Sequence, residues 1–389
     1  MTRLKGAAVA AALVVGVGFA AGGEAQIAVS ANDNKVVNVN GTVKVVPNPP
    51  TDTVAIIDLS VSPPRVIAEV QAPNSVVGPP LSVAITPDES LALVTASNKV
   101  DPNDPTKQTP DNRVSVIDLK ASPPTVIATL EAGKGAAGIA INRQGTLALV
   151  SNLVDGTVSI FAIQGKTVRP VGTVEVGGEK AGGGMVAITP DGKTALVSRR
   201  IDNRISILSI DGTKVEYTKR DMIAGVVPIV LDNASNGDFA VVGSLAGSAT
   251  GDHDSVSLID LTAKPPRVVD TIGVLGSTAE GLKISPDGSV VAVVVHNGSN
   301  RAKESPFYND AGKLVMVRVT GKTLLRVAQA PIGHWSQGAA FSSDGKTILV
   351  GNMIEKDYWV FEWNGSRLRA TGQRVKMNGG PVAIRTADK

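Results

Sequence analysis

The sequence predicts an all-β protein, a seven-bladed β-propeller of four-stranded antiparallel sheets. Three observations predict it. A strand–turn–strand stretch recurs, in residues 54–66 (VAIIDLSVSPPRV), 114–126 (VSVIDLKASPPTV) and 256–268 (VSLIDLTAKPPRV), with looser copies starting at Val158, Ile205, Leu314 and Tyr358. A second signature interleaves with it, read from Val83 (VAITPDESLALV), Ile139 (IAINRQGTLALV), Val186 (VAITPDGKTALV), Leu282 (LKISPDGSVVAV) and Ala340 (AFSSDGKTILV), with a degenerate copy over 229–242. The two ends of the chain are complementary. The C-terminal PVAIRTA starting at Pro381 is a first strand with nothing after it, and the N-terminal repeat has third and fourth strands with no first.

Each element has a local cause. Val and Ile dominate the apolar set, and branching at Cβ suits a pleated, half-buried strand. In the Pro-Asp-Gly turn, Pro presets φ, Asp bonds the backbone and Gly takes the positive φ. The 41 Gly and 23 Pro fit many such turns. The order within a unit never changes: strand a, Pro-Asp-Gly turn, strand b, loop, strand c, Pro-Pro turn, strand d. Four strands at a period of about 50 residues describe a propeller blade. A solenoid would need polar capping repeats, and neither end shows one. Joining the ends completes a seventh blade and removes the exposed sheet edges.

At 389 residues the chain is too long for one ordinary core, which suits a repeat architecture. Net charge is +3 with no dense basic run, which argues against nucleic-acid binding. With no cysteine, disulfides, thiol catalysis and Cys-ligated zinc are excluded. Residues 1–25 read as a signal peptide: Arg3 and Lys5, an apolar stretch to Ala21, then small residues before Gln26. An uncleaved anchor is the competing reading. No later run approaches spanning length, so a periplasmic or secreted protein without a stable membrane span is expected. Residues 26–35 are expected to be a flexible segment and 36–389 the propeller, with 36–46 supplying one strand.

The Pro-Asp-Gly turn, the Ile-Asp-Leu strand and the seven-fold count resemble the YVTN-type β-propeller family and, more loosely, the seven-bladed lactonase-like propellers. The resemblance covers about residues 36–387. Asn142-Arg-Gln-Gly departs from the turn motif, and strand b rarely ends in Val-Thr-Asn. The motifs are structural, so they imply a fold more than an activity.

In such a fold the a–b and c–d turns share one face, here short and uniform. The b–c and d–a loops share the other. Three b–c loops are enlarged, at 99–112, 245–255 and 297–312. Variable loops on a rigid scaffold are where function concentrates. All three histidines map there: His253, His296 and His334. Glu280, Arg199 and Arg200 join them. A His, Glu and Arg set in a funnel suits acid–base chemistry on a small ester, and the resemblance to lactonase-like propellers implies residues of these types. Scattered polar residues on a rim are the bland alternative. Asp252, His253 and Asp254 could help hold a metal, although three adjacent residues lack distant partners. Trp335, His334, Trp359 and His253 are the expected contacts for a partner or ligand. No cofactor motif is present: no helix-opening phosphate loop, GxSxG or HExxH occurs. The expected function is a binding or scaffold module working through its loop-rich face, for an unknown protein or small ligand. A lactonase-like hydrolase is the alternative, and the propeller subunit of a periplasmic redox complex a further one.

Overall fold

A computed structural model describes residues 26–246, 254–273 and 276–389. Residues 1–25, expected to be a signal segment, lie outside them, as do Asp252 and His253. Seven four-stranded antiparallel sheets form the ring, and no helix occurs among the described residues. Blades 1 to 6 each run a-b-c-d from the channel outward. Blade 7 takes its innermost strand from the C-terminus, Gly380–Thr386, and its others from Ile27–Asp33, Thr53–Asp58 and Arg65–Gln71.

One expectation fails here. Residues 26–35 are not a flexible lead-in. Ile27–Asp33 is strand b of blade 7, paired on both sides and almost wholly buried. Its composition, IAVSAND, hides this, because Ser30 and Asn32 are polar yet fully buried. Ser30 Oγ bonds Asn32 Oδ1 at 2.7 Å and the Tyr358 hydroxyl at 2.8 Å, so their burial leaves no unmet donor. Lys35 follows, buried between Asp33 (3.1 Å) and Asp52 (2.5 Å) and donating to the Asn74 carbonyl at 2.7 Å. The propeller therefore starts at the first described residues. The stretch expected to give one strand gives a hairpin, Val36–Val39 with Thr42–Val45, that stands outside the ring sheets.

The a–b turns form as the sequence predicts. The Thr86, Thr189, Ser285 and Ser342 hydroxyls donate to Asp88, Asp191, Asp287 and Asp344 at 2.6–2.7 Å. Gly192, Gly288 and Gly345 hold φ near +70°. Blade 1 breaks the rule: Glu89 stands where those glycines stand, with φ +54°. The core is the set of apolar layers between neighbouring blades.

Inner strands carry a bulge at their loop-rich end, between Gly183 and Val186, Pro228 and Val230, Ala279 and Gly281, and Ser336 and Ala339. A bulge re-aims a side chain. Glu280 and Gln337 are bulge residues on neighbouring blades, and this places the polar groups discussed next.

Candidate functional site

Blades 3 to 6 carry the titratable side chains considered at the loop-rich end of the channel. Glu280 sits on the bulge of strand a of blade 5 (Ala279–Ile284). Burial pushes its carboxyl up to about 7, against the opposing charge of Arg200. Asp254 enters strand c of blade 4 and is fully buried. Its Oδ2 accepts the Ala279 N–H, while Oδ1 has no partner. Burial raises Asp254 to about 7; the Ala279 N–H works against this and the nearby Glu280 charge adds to it. Both carboxyls are raised toward neutral pH chiefly by burial, and the Glu280 charge adds to the shift of Asp254; shifts of this kind are how acid–base sites are tuned.

His296 follows strand b of blade 5 (Val290–Val295) and is buried. Burial lowers its pKa to about 4, so the imidazole is neutral. Its Nε2 lies 3.5 Å from Gln337 Nε2, its Nδ1 has no partner, and Gln337 Oε1 has none either. Buried polar atoms without partners are rare and call for an explanation. Here Asp254, His296 and Gln337 all carry one.

The other predicted residues separate from this cluster. Arg199 is committed within blade 3, donating to Ser206 and Tyr217 at 3.2 Å and pairing with Asp202 and Asp221. His334 is latched: its Nδ1 meets Glu355 Oε1 at 2.6 Å, and its N–H donates to the same carboxylate at 3.0 Å. Blade 2 repeats the latch with Lys134 N–H on Asp155 at 2.8 Å, which marks it as a structural device of the repeat. Trp335, expected as a partner or ligand contact, is only 7% exposed and belongs to the buried cluster that includes Val36, Met353 and Val382. It holds φ +50° where blade 2 has Gly135 at +72°. A tryptophan tolerates that backbone only when its packing outweighs the strain. Trp359 is half-buried and stacks on the Arg374 guanidinium at 3.7 Å. Among the described residues no group of three or more His, Asp or Glu could hold a metal ion.

Gln337 escaped the sequence reading. Its signal was positional, since it precedes Gly338 as Glu280 precedes Gly281. A second feature also escaped it. A cavity of about 540 Å³ opens at the turn face, where the uniform turns suggested nothing.

The class this geometry defines is a seven-bladed propeller with the titratable side chains Glu280, Asp254 and His296 toward the loop-rich end of its channel. No protein-family model and no curated protein matches the chain, so membership of the YVTN family is not shown. Solved structures do resemble it. A candidate 6-phosphogluconolactonase from Bacteroides fragilis has a TM-score of 0.70 at 16% identity, covering 94% of this chain and 98% of that one. The periplasmic gluconolactonase of Pseudomonas aeruginosa has a TM-score of 0.65 at 16% identity, over 92% and 99%. Hydrazine synthase of Kuenenia stuttgartiensis has 0.60 at 17%, over 80% and 90%. At these identities the likeness is one of fold.

Proposed function

We propose that this protein is a lactonase-like hydrolase of a small lactone or ester, working at the loop-rich end of the channel. The observation that carries this reading is Glu280, an inner-strand carboxyl held near pH 7 beside Arg200. A general base works best when its pKa lies near the operating pH. Ionised Glu280 takes a proton from water as the water oxygen bonds to the lactone carbonyl carbon. The carbonyl oxygen gains negative charge, which Arg200 stabilises. The ring C–O bond then breaks, and Glu280 returns its proton to the departing ring oxygen. Water and lactone give a hydroxy acid. Two neighbours of the same fold bear lactonase names, which supports the reading without fixing the substrate.

The test is release of acid from glucono-δ-lactone by the purified protein, followed in a pH-stat. Glu280→Gln should lower kcat/KM at least about 100-fold, as expected for losing a general base. A wild-type rate no higher than buffer, or a variant as fast as wild type, would refute the hydrolase.

A second reading, a binding module on the same face, has its own support. The blade 7 hairpin is tied to the blade 5 loop by Asn38 Nδ2 on the Asn300 carbonyl (2.8 Å) and Asn40 Nδ2 on Glu304 (2.9 Å). Val39 and Val43 on that hairpin and Phe307 on that loop are 40–51% exposed, which suits a partner surface. Val39→Asp should then abolish binding of whatever co-purifies. We also infer export with removal of residues 1–25, to be checked by N-terminal sequencing of the protein from its native host.

A further inference from the structure

The inner strands place one residue per blade at the same register, one step before the turn-face end. In blades 1, 2, 3 and 6 that residue is alanine: Ala84, Ala140, Ala187 and Ala340. In blades 4, 5 and 7 it is Asp232, Lys283 and Arg385. Three charges thus replace alanine in a ring layer that faces the channel, and all three line the 540 Å³ cavity.

Their pairing is incomplete. Lys283 Nζ lies 3.1 Å from Asp232 and 3.1 Å from Asp388. Arg385 Nη2 pairs with Asp388 at 2.8 Å, while Nη1 is 3.6 Å from Asp232 and has no hydrogen-bond partner. Arg385 is 5% exposed. Two buried cations therefore share one buried carboxylate, and their second counter-charge is Asp388, which is half-exposed near the end of the chain. Asn233 stands one residue beyond Asp232, where four other blades have Ile85, Ile141, Ile188 and Ile284. Both its Oδ1 and its Nδ2 lack a partner. Glu89, which accepts a left-handed backbone where other blades use glycine, lines the same cavity.

Each departure from the repeat adds polarity to one cavity, and a packed structural core would favour the opposite. We propose that the turn-face mouth binds a small hydroxylated organic anion, a carboxylate or a phosphate. Its charge takes the place of Asp388 against Lys283 and Arg385, and its hydroxyls meet Asn233. Asp388 is a built-in competitor that neutralises the cations while the site is vacant. The charge of Lys283 and Arg385 outweighs the partial desolvation of the half-exposed Asp388 carboxyl and holds it well below the usual carboxylate range, so it competes at all ordinary pH. This site is at the opposite end of the channel from Glu280 and does not rest on the hydrolase reading.

The experiment is titration calorimetry of wild type, Asp388→Asn, Asn233→Ile and Lys283→Met with gluconate, inorganic phosphate and neutral sorbitol. Asp388→Asn should bind the anion about tenfold tighter than wild type, the gain expected from removing a competing charge at about 1.4 kcal/mol. Asn233→Ile places the residue four blades already use, so the fold is kept, and gluconate binding should weaken about tenfold. Lys283→Met should abolish binding. Binding of gluconate alone identifies a carboxylate reader, of phosphate alone a phosphate reader, and of both a site that selects charge. The proposal is overturned if neither anion binds Asp388→Asn, if Asp388→Asn and wild type bind equally, or if sorbitol binds as well as gluconate.

Discussion

The two ends of the channel depart from the repeat in opposite ways. At the loop-rich end the blades gain bulk and latches: Trp335 fills the position of Gly135, Lys35 is buried between two aspartates, and long loops are tied together. At the turn end the loops stay minimal and the change is in the strand itself, where Asp232, Lys283, Arg385 and Asn233 replace Ala and Ile. Both ends place a large side chain on a left-handed backbone where another blade has glycine, Trp335 against Gly135 at one and Glu89 against Gly192 at the other. In a repeat protein, then, function-bearing positions show as departures from the repeat's own register rather than as motifs.

Four changes would sharpen or break that contrast. Trp335→Ala should destabilise the fold most, by about 3–5 kcal/mol in denaturant unfolding, because it empties a packed core site. A change under about 1 kcal/mol would mean that the tryptophan is not a structural plug. Lys35→Met should cost about 3 kcal/mol, since it leaves Asp33 and Asp52 buried without their cation. If this variant melts like wild type, blade 7 is not held by that triad.

The third concerns pH. Glu280 and Asp254 bind their protons more tightly folded than unfolded, raised from 4.5 and 3.8 to about 7. Their contribution to stability is full below about pH 4 and is lost as pH rises through about 7. Unfolding free energy should fall by about 1–2 kcal/mol between pH 5 and 8, less than the full shifts imply because Glu280 keeps some solvent contact. Glu280→Gln should flatten part of that slope, and an unchanged slope would place the titration elsewhere. The smallest effect belongs to the turn face. Glu89→Gly relieves a left-handed backbone and should raise stability by about 0.5–1 kcal/mol. A loss instead would show that the Glu89–Lys389 ion pair, at 3.3 Å, outweighs the strain.

The fold was legible because the repeats carry it. Each Pro-Asp-Gly turn marks a strand a and strand b, and each Ile-Asp-Leu a strand c. The strand at Ile27–Asp33 was not legible, since Ser30 and Asn32 read as surface although Tyr358 and each other satisfy them. Glu280, Arg200 and His296 were singled out in the sequence by residue type and face, and Asp254 only as a possible metal ligand beside Asp252 and His253. The sequence could not exclude Arg199 and His334, because their engagement depends on Asp202, Asp221 and Glu355 in space. Gln337 needed the register of the inner strands, which bulges shift by one residue, and in the charged ring Arg385 needed the pairing with Ile27–Asp33, a strand the sequence did not show.

The pH–rate profile for glucono-δ-lactone hydrolysis tests the assignment of the loop-rich end most directly. If Glu280 is the base, kcat/KM for wild type rises with pH and levels off above about 7, as its carboxyl ionises. In Glu280→Gln that limb disappears, while Lys193→Ala on the opposite face keeps it. A wild-type profile with no inflection near 7, or the same inflection surviving in Glu280→Gln, would contradict the account.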